Sequence, residues 1–341
     1  MKVLVPMHQK ALFVELVIDS YKPYSQVDTS FTNFWLNKGS YDIIHLHWPE
    51  YLFKWEVPTD TELLLLERVL TEWSKKGSKI VVTRHNYLPH RSNPERYTPL
   101  YDLVYYHADA VIHMGRYSEE EYQARYGENI NTSQVQAQIP HPIFTNYPNT
   151  VSREQARSYL KINGKTKVML VFGEVRKAIE KNLVLQAFSA IPSKDKLLLV
   201  PGWKFSKGKE PINKIKWLKI NKSRKHRIFK EFIPDEQVQF YFKAADFVFL
   251  PRVDTLNSGV PLLAVAFHTP IVGVDQGNIG EILSKLKMPT FSQGSTQDLF
   301  KAIHTALSLQ RNESLYTSFY NNHCPDVVGK QHVNLFQELL N

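Results

Sequence analysis

Short apolar runs recur along this chain, and nearly every one ends in a cluster of His, Arg, Asn, Asp or Gly and is followed by a stretch of helical spacing. A strand followed by a helix, repeated many times, leaves few packings open: the strands line up in parallel and the helices cover both faces of the sheet. The first series has strands at 2–6, 42–47, 79–83 and 110–113, and helices at 11–24, 59–76 and 101–107, the second of these capped by Asp60 or Thr61 and stopped by Gly77. After a Pro/Asn-rich turn cluster at 146–150 the alternation restarts. Ser152 and Gln155 form a capping-box pattern for a short helix at 152–160. Strands follow at 167–172, 196–200, 228–233, 247–250 and 270–274, with helices at 182–190, 235–244, 258–267 and 296–309. At about 150 residues per domain, 341 residues accommodate two doubly wound α/β domains in tandem.

Composition narrows the class. With 43% apolar and 22% charged residues, the chain is of ordinary globular make-up and not disordered. No run approaches the roughly 20 apolar residues of a membrane span; the best, 260–267, has the length of a buried element. The N-terminus lacks the pattern of a signal peptide. A lone cysteine, Cys324, excludes an internal disulfide and any multi-cysteine metal site. The expected location is the cytoplasm.

The net charge of +9 is concentrated between residues 203 and 231, where nine lysines and two arginines face two glutamates. Such a block is a candidate surface for phosphates, nucleic acid or anionic lipid, or a solvated loop and helix face. Its aromatic residues, Trp203, Phe205, Trp217 and Phe229, are too sparse for a base-stacking platform, so no nucleic-acid partner is expected.

In open α/β sheets, ligands bind beyond the carboxyl ends of the strands. Arg176 and Lys181 flank the turn after strand 167–172, where a guanidinium fork and an ammonium together suit a pyrophosphate. Asn257, Ser258 and Gly259 open the helix after strand 247–250, with a capping hydroxyl, a glycine and free backbone N–H groups. In the first half, His45 and His47 share one face of a strand; without a third ligand they make no zinc site, and no metal is expected. Glu50 is a candidate general base or a loop carboxylate in an ion pair. His85, at a strand tip, is suited to a sugar hydroxyl or to proton transfer, or to a structural bond. Trp48, Tyr51 and Phe53 can form a sugar-stacking wall or simple packing.

Taken in order, these segments resemble bacterial nucleotide-sugar glycosyltransferases of the GT-B fold, of the capsular and exopolysaccharide biosynthesis type. The resemblance rests on 41–50 (YDIIHLHWPE), 82–90 (VTRHNYLPH), 139–142 (IPHP), 172–176 (FGEVR) with Lys181, Ala245-Asp246 ahead of 247–251, Asn257-Ser258-Gly259, and Thr269-Pro270-Ile271-Val272. It implies two Rossmann-like doubly wound domains facing a central cleft: an acceptor-side domain at 1–147, a nucleotide-sugar donor domain at 148–326, and a C-terminal helix at 327–341 crossing back to the first. By the same resemblance, Gly173, Arg176, Lys181, Asn257, Ser258 and Gly259 bind the donor diphosphate, and Asp254 and His141 the donor sugar or nucleoside. Glu50 and His85 are the catalytic candidates, and His47 and Trp48 lie on the acceptor side.

The activity implied is transfer of a hexose from a nucleotide diphosphate sugar, UDP- rather than GDP-linked, to a saccharide or polyprenyl-linked acceptor in surface polysaccharide synthesis, with no cofactor. The basic segment 203–231 would hold the protein on the anionic inner face of the membrane. One departure stands out. The large retaining branch carries two glutamates eight positions apart, ahead of the proline matched by Pro270; here those places hold Thr255 and Leu263, so the stereochemical outcome does not carry over. The rival reading is a non-catalytic nucleotide-sugar-binding protein of the same fold.

Overall fold

The structure, a computed structural model, describes residues 1–7, 9, 11–90, 93–127, 133–175, 177–201, 225–229, 233–309 and 313–341. It divides into two compact units, Met1–Pro142 with Asn321–Asn341, and Ile143–Tyr320.

The first unit holds β1 (Lys2–Met7), α1 (Leu12–Tyr21), β2 (Gln26–Ser30), α2 (Phe31–Trp35), β3 (Ile43–Leu46), α3 (Asp60–Lys75), β4 (Lys79–Arg84), α4 (Thr98–His107), β5 (Ala110–His113), α5 (Arg116–Tyr126) and β6 (Val135–Gln138). All strand pairs are parallel, in the order β2-β1-β3-β4-β5-β6. The central strands are apolar because helices cover both faces: β3 (IIHL) is buried throughout. Proline shapes the exit from β3, since Pro49 opens a 3-10 turn over Pro49–Phe53, where its fixed φ and missing N–H cost nothing. The cap of α3 is Thr59, one or two residues ahead of the expected Asp60 or Thr61; its hydroxyl accepts from Glu62 N, and the Glu62 carboxylate accepts from Thr59 N.

The second unit holds α6 (Arg153–Tyr159), β7 (Lys167–Leu170), α7 (Ala178–Ala190), β8 (Lys196–Pro201), β9 (His226–Phe229), α8 (Asp235–Ala244), β10 (Phe247–Leu250), α9 (Val260–Ala266), β11 (Ile271–Val274), α10 (Gly277–Lys285), β12 (Thr290–Phe291), α11 (Thr296–Ser308) and, as far as Tyr320, α12 (Glu313–His323). The predicted capping box of α6 is present, with Ser152 and Gln155 exchanging bonds. The strand expected at 228–233 occupies His226–Phe229, and residues 230–232 lie outside the described set. The parallel sheet has the order β12-β11-β10-β7-β8-β9. Counted within the unit this is 3-2-1-4-5-6, the doubly wound arrangement of dinucleotide-binding sheets.

At the amino edge of that sheet, Asp246 takes Arg153 on Oδ1 at 2.9 Å and Arg157 on Oδ2 at 3.0 Å, and accepts the Val168 N–H at 2.7 Å. Helix α6 is thereby pinned beneath β7 and β10. The last helix, α13 (Pro325–Leu340), packs on α1 in the first unit. There Val328, Leu335 and Phe336 join the core made by Val3, Val5, Val17 and Ile43. The approach is close enough that a Cβ on Gly329 would stand 1.8 Å from the Ser20 carbonyl oxygen.

Candidate functional site

A doubly wound sheet opens a crevice where the strand order reverses, because the loops leaving the two neighbouring strands run to opposite faces. In the second unit that point falls between β7 and β10, paired through Leu170 and Val248. The loop after β7 turns at Gly173, whose φ of +87° is the left-handed conformation that favours glycine. The loop after β10 sends Arg252 across the gap: its guanidinium donates to Glu180 at 2.7 Å and to the Glu174 carbonyl. Glu180 in turn accepts the Lys177 N–H at the start of α7, at 3.2 Å. Lys177 pairs with the exposed Asp254. On the other flank, Asn278 in the first turn of α10 donates to Asn257 at 2.7 Å. Loops from three adjacent strands, β7, β10 and β11, are thus bound into one edge.

Gly173, Lys181, Asp254, Asn257, Ser258 and Gly259 all belong to this edge or the helices leaving it. Arg176 lies outside the described residues, as does the basic block at 202–224 and 230–232. Two details differ from expectation. Helix α7 starts at Ala178, not at 182, so Lys181 sits in its first turn, half-buried, with its N–H on the Lys177 carbonyl. Helix α9 starts at Val260 with Gly259 as its cap, and Ser258 supports it from one residue outside, accepting from Val260 N at 3.4 Å. Arg252, Glu180, Lys177 and Asn278 were not among the expected residues. Arg252 follows its strand directly, and Glu180 is the third residue of α7, a position where a carboxylate caps; together these were the available signal. Within the basic block, the described Arg227 donates to the carbonyls of Leu160 and Lys161 and so serves the unit's own framework.

In the first unit the order reverses between β1 and β3. Tyr51 closes this point, donating to the Gln9 carbonyl in the β1–α1 loop. His47 and Trp48 leave β3 here, and His85 follows β4 beside them. The His85 ring is held in a cage: Trp48 stacks on it at 4.3 Å, Phe13 meets it edge-on at 5.4 Å, and its Nε2 lies 2.8 Å from His47 Nδ1. One rung inward, His45 Nε2 bonds Thr83 at 2.8 Å and its Nδ1 bonds Tyr21 at 3.1 Å. Burial holds His45, His47 and His85 well below the ordinary histidine range, and their mutual repulsion adds to it.

Glu50 is 1% exposed and accepts from Tyr101 of α4 at 2.8 Å. That bond ties the turn after β3 to a flanking helix. His141, also buried, directs both ring nitrogens at carbonyl oxygens, Pro142 at 2.6 Å and Phe13 at 2.9 Å. Burial lowers its pKa to about 4, against the upward pull of those carbonyls. These bonds tie the exit of β6 to the start of α1. Trp55 went unnoticed in the sequence. It is held at φ +71°, unusual for a bulky side chain and typical of strain kept at working sites. Its N–H bonds the Glu50 carbonyl at 2.9 Å, Tyr97 clamps its own carbonyl at 2.7 Å, and its ring lies 5.7 Å from Trp48.

Among the described residues no helix is long and apolar enough to cross a membrane, and no group of three or more His, Cys, Asp or Glu is placed to hold a metal.

Residues 152–323 match the family described as "Glycosyl transferases group 1". No curated protein matches the chain. Among solved structures, Anabaena HepE in complex with UDP is similar over 99% of both chains, at a TM-score of 0.67 and 14% identity. Sucrose-phosphate synthase from Thermosynechococcus elongatus has a TM-score of 0.67 and 15% identity, covering 99% of this chain and 98% of that one. The lipopolysaccharide outer core galactosyltransferase WaaB follows at 0.63 and 14%, covering 99% and 100%. At such identities the likeness is one of fold: two Rossmann-like domains of the GT-B kind.

Proposed function

The chain belongs to the group 1 glycosyl transferases, and from that premise we propose that it moves a hexose from a UDP-sugar to a lipid-linked saccharide acceptor in surface polysaccharide synthesis. The observation that carries this reading is the braced edge of the second unit, within the family-matched residues, where Arg252 and Glu180 fix the loops on either side of the switch point. Support for the donor comes from HepE, solved with UDP and with UDP-glucose. Support for a saccharide acceptor comes from WaaB, named as an outer core galactosyltransferase.

Cleavage of the sugar–phosphate bond leaves charge on the diphosphate. Cations and oriented N–H groups already in place stabilise that charge without reorganising. In this reading Lys181 and Arg176 supply the cations, the backbone of 257–260 supplies N–H groups, and Gly173 lets the phosphates approach the chain. Asp254 faces the sugar or nucleoside. The strand-end rings of the first unit, Trp48 and Trp55, offer apolar faces to a sugar, and His85 addresses the reacting sugar. The basic segment 203–231 is the part of the chain suited to an anionic bilayer.

A thermal-shift comparison tests the donor: a ligand that binds only the folded chain raises its stability by RT ln(1 + [L]/Kd). UDP is expected to raise the unfolding midpoint and GDP to leave it near the ligand-free value; no response to either would sink the proposal. The non-catalytic alternative draws on one observation, the buried Leu263, 6% exposed, where the retaining branch has a glutamate. Release of UDP from UDP-glucose in the presence of acceptor separates the two.

A further inference from the structure

Two ion pairs join the start of α7 to the loop that leaves β10. Arg252 reaches Glu180, and two residues further along that loop Asp254 takes the Lys177 ammonium. The pairs differ in burial. Arg252 and Glu180 have side chains 11% and 4% exposed, whereas those of Lys177 and Asp254 are 52% and 64% exposed. Breaking a buried pair is strongly unfavourable. An exposed pair gains little over two hydrated ions and readily gives up one partner for another. The inner pair is therefore a fixed brace and the outer one is exchangeable. Both lie past the carboxyl ends of β7 and β10, on either side of the point where the strand order reverses, the place where sheets of this kind bind ligands.

Resting on the reading above, in which this edge holds a UDP-sugar, we propose that Lys177 is a further donor-binding cation, kept by Asp254 until the diphosphate takes it over. A diphosphate carries more than one negative charge and several acceptor oxygens, so it outcompetes a single carboxylate for an ammonium. Lysine suits such a transfer, since its charge is a compact point on a flexible stem with three rotatable donors. Asp254 acts on the same ligand with the opposite sign. Alone it would repel the phosphates; paired with Lys177, it presents no net charge to an approaching donor. Binding then has to split the pair, and the carboxylate set loose becomes available to hydroxyl groups of the donor. Lys177 and Asp254 work as one exchangeable unit, in which each sets what the other contributes.

The experiment is a double-mutant cycle on UDP binding, with Lys177→Gln, Asp254→Asn and the two combined, read by titration calorimetry on the full chain. Both side chains are more than half exposed, so the variants should fold like the parent. Lys177→Gln is expected to weaken UDP about 3- to 10-fold, the loss of one charge-assisted contact. Asp254→Asn should tighten UDP about two- to fivefold, because no carboxylate then has to be displaced. Most of that gain should vanish in the double variant, where there is no ammonium to release. A parent that binds UDP beside a Lys177→Gln variant of equal affinity overturns the proposal and leaves the donor edge standing. Asp254→Asn without any gain overturns it as well. An equal gain with Lys177 and with Gln at 177 would mean that the carboxylate only repels the phosphates, and the exchange falls. Should the parent bind no UDP at all, the reading of the edge fails first and takes the proposal with it.

Discussion

Arg252 and Glu180 form an ion pair of 2.7 Å across the switch point of the second sheet, with side chains only 11% and 4% exposed. Removing one partner of a buried ion pair costs about 3–5 kcal/mol, whereas replacing both by apolar residues of similar size is often neutral. Arg252→Met and Glu180→Leu are therefore each expected to lower unfolding free energy in urea strongly, and the double variant to recover most of the loss. A double variant as unstable as the sum of the singles would show that the pair does not brace the loops.

Lys181 lies in the first turn of α7, at the edge proposed above to hold the donor. Lys181→Ala is expected to weaken UDP binding about tenfold, the scale of one charge-assisted hydrogen bond, with the ligand-free melting midpoint unchanged. Titration calorimetry checks this; an unchanged Kd would remove Lys181 from the phosphate site.

Asp246 belongs to the opposite edge of the same sheet and should separate stability from binding. Losing its bonds to Arg153, Arg157 and Val168, Asp246→Ala is expected to cost about 3 kcal/mol while the folded fraction keeps the parent's affinity for UDP. A large fall in affinity would contradict this purely structural role.

The buried histidines predict acid sensitivity. His113, His141 and His332 are each held at about 4, chiefly by burial, against an ordinary 6.5. Well above pH 7 they are neutral both folded and unfolded and contribute no pH dependence. As pH falls below 6.5 the unfolded chain takes up protons that the folded chain refuses, so stability drops by about 1.4 kcal/mol per pH unit for each ring until the folded values are reached. His45, His47 and His85 act in the same direction. Unfolding midpoints measured from pH 7 to 4 should fall steeply, and His332→Asn should flatten the curve. A flat profile in the parent would refute the burial argument.

Strands that lie deep in the sheets announced themselves, and at the rims only β9 did. β3 and β10 read IIHL and FVFL and are buried along their length, so their apolar runs stand out. β2, β6 and β12 are edge strands, reading QVDTS, VQAQ and TF, all partly exposed. One-sided burial leaves no continuous run to detect. Helix α5, RYSEEEYQARY, buries only Ser118 and Tyr122, so its pattern is equally faint. For the candidate site, strand-end position singled out Lys181, Asn257 and His85 as residues to propose. What could not be read was partnership: that Arg252 reaches Glu180, or that Glu50 turns to Tyr101, depends on which strands become neighbours, 72 and 51 residues away along the chain.

The contact of Gly329 with Ser20 has a consequence for the order of assembly. Gly329→Ala should push α13 off α1, because an added methyl has no room against that carbonyl, and loss of protection in hydrogen exchange across α1 would report it. More broadly, every residue of the second unit is translated before α13 emerges to supply Val328, Leu335 and Phe336 to the first. At about 5–20 residues per second, the first unit must wait for a piece made only after the whole of the second, exposing an apolar seam to chaperones in the interval.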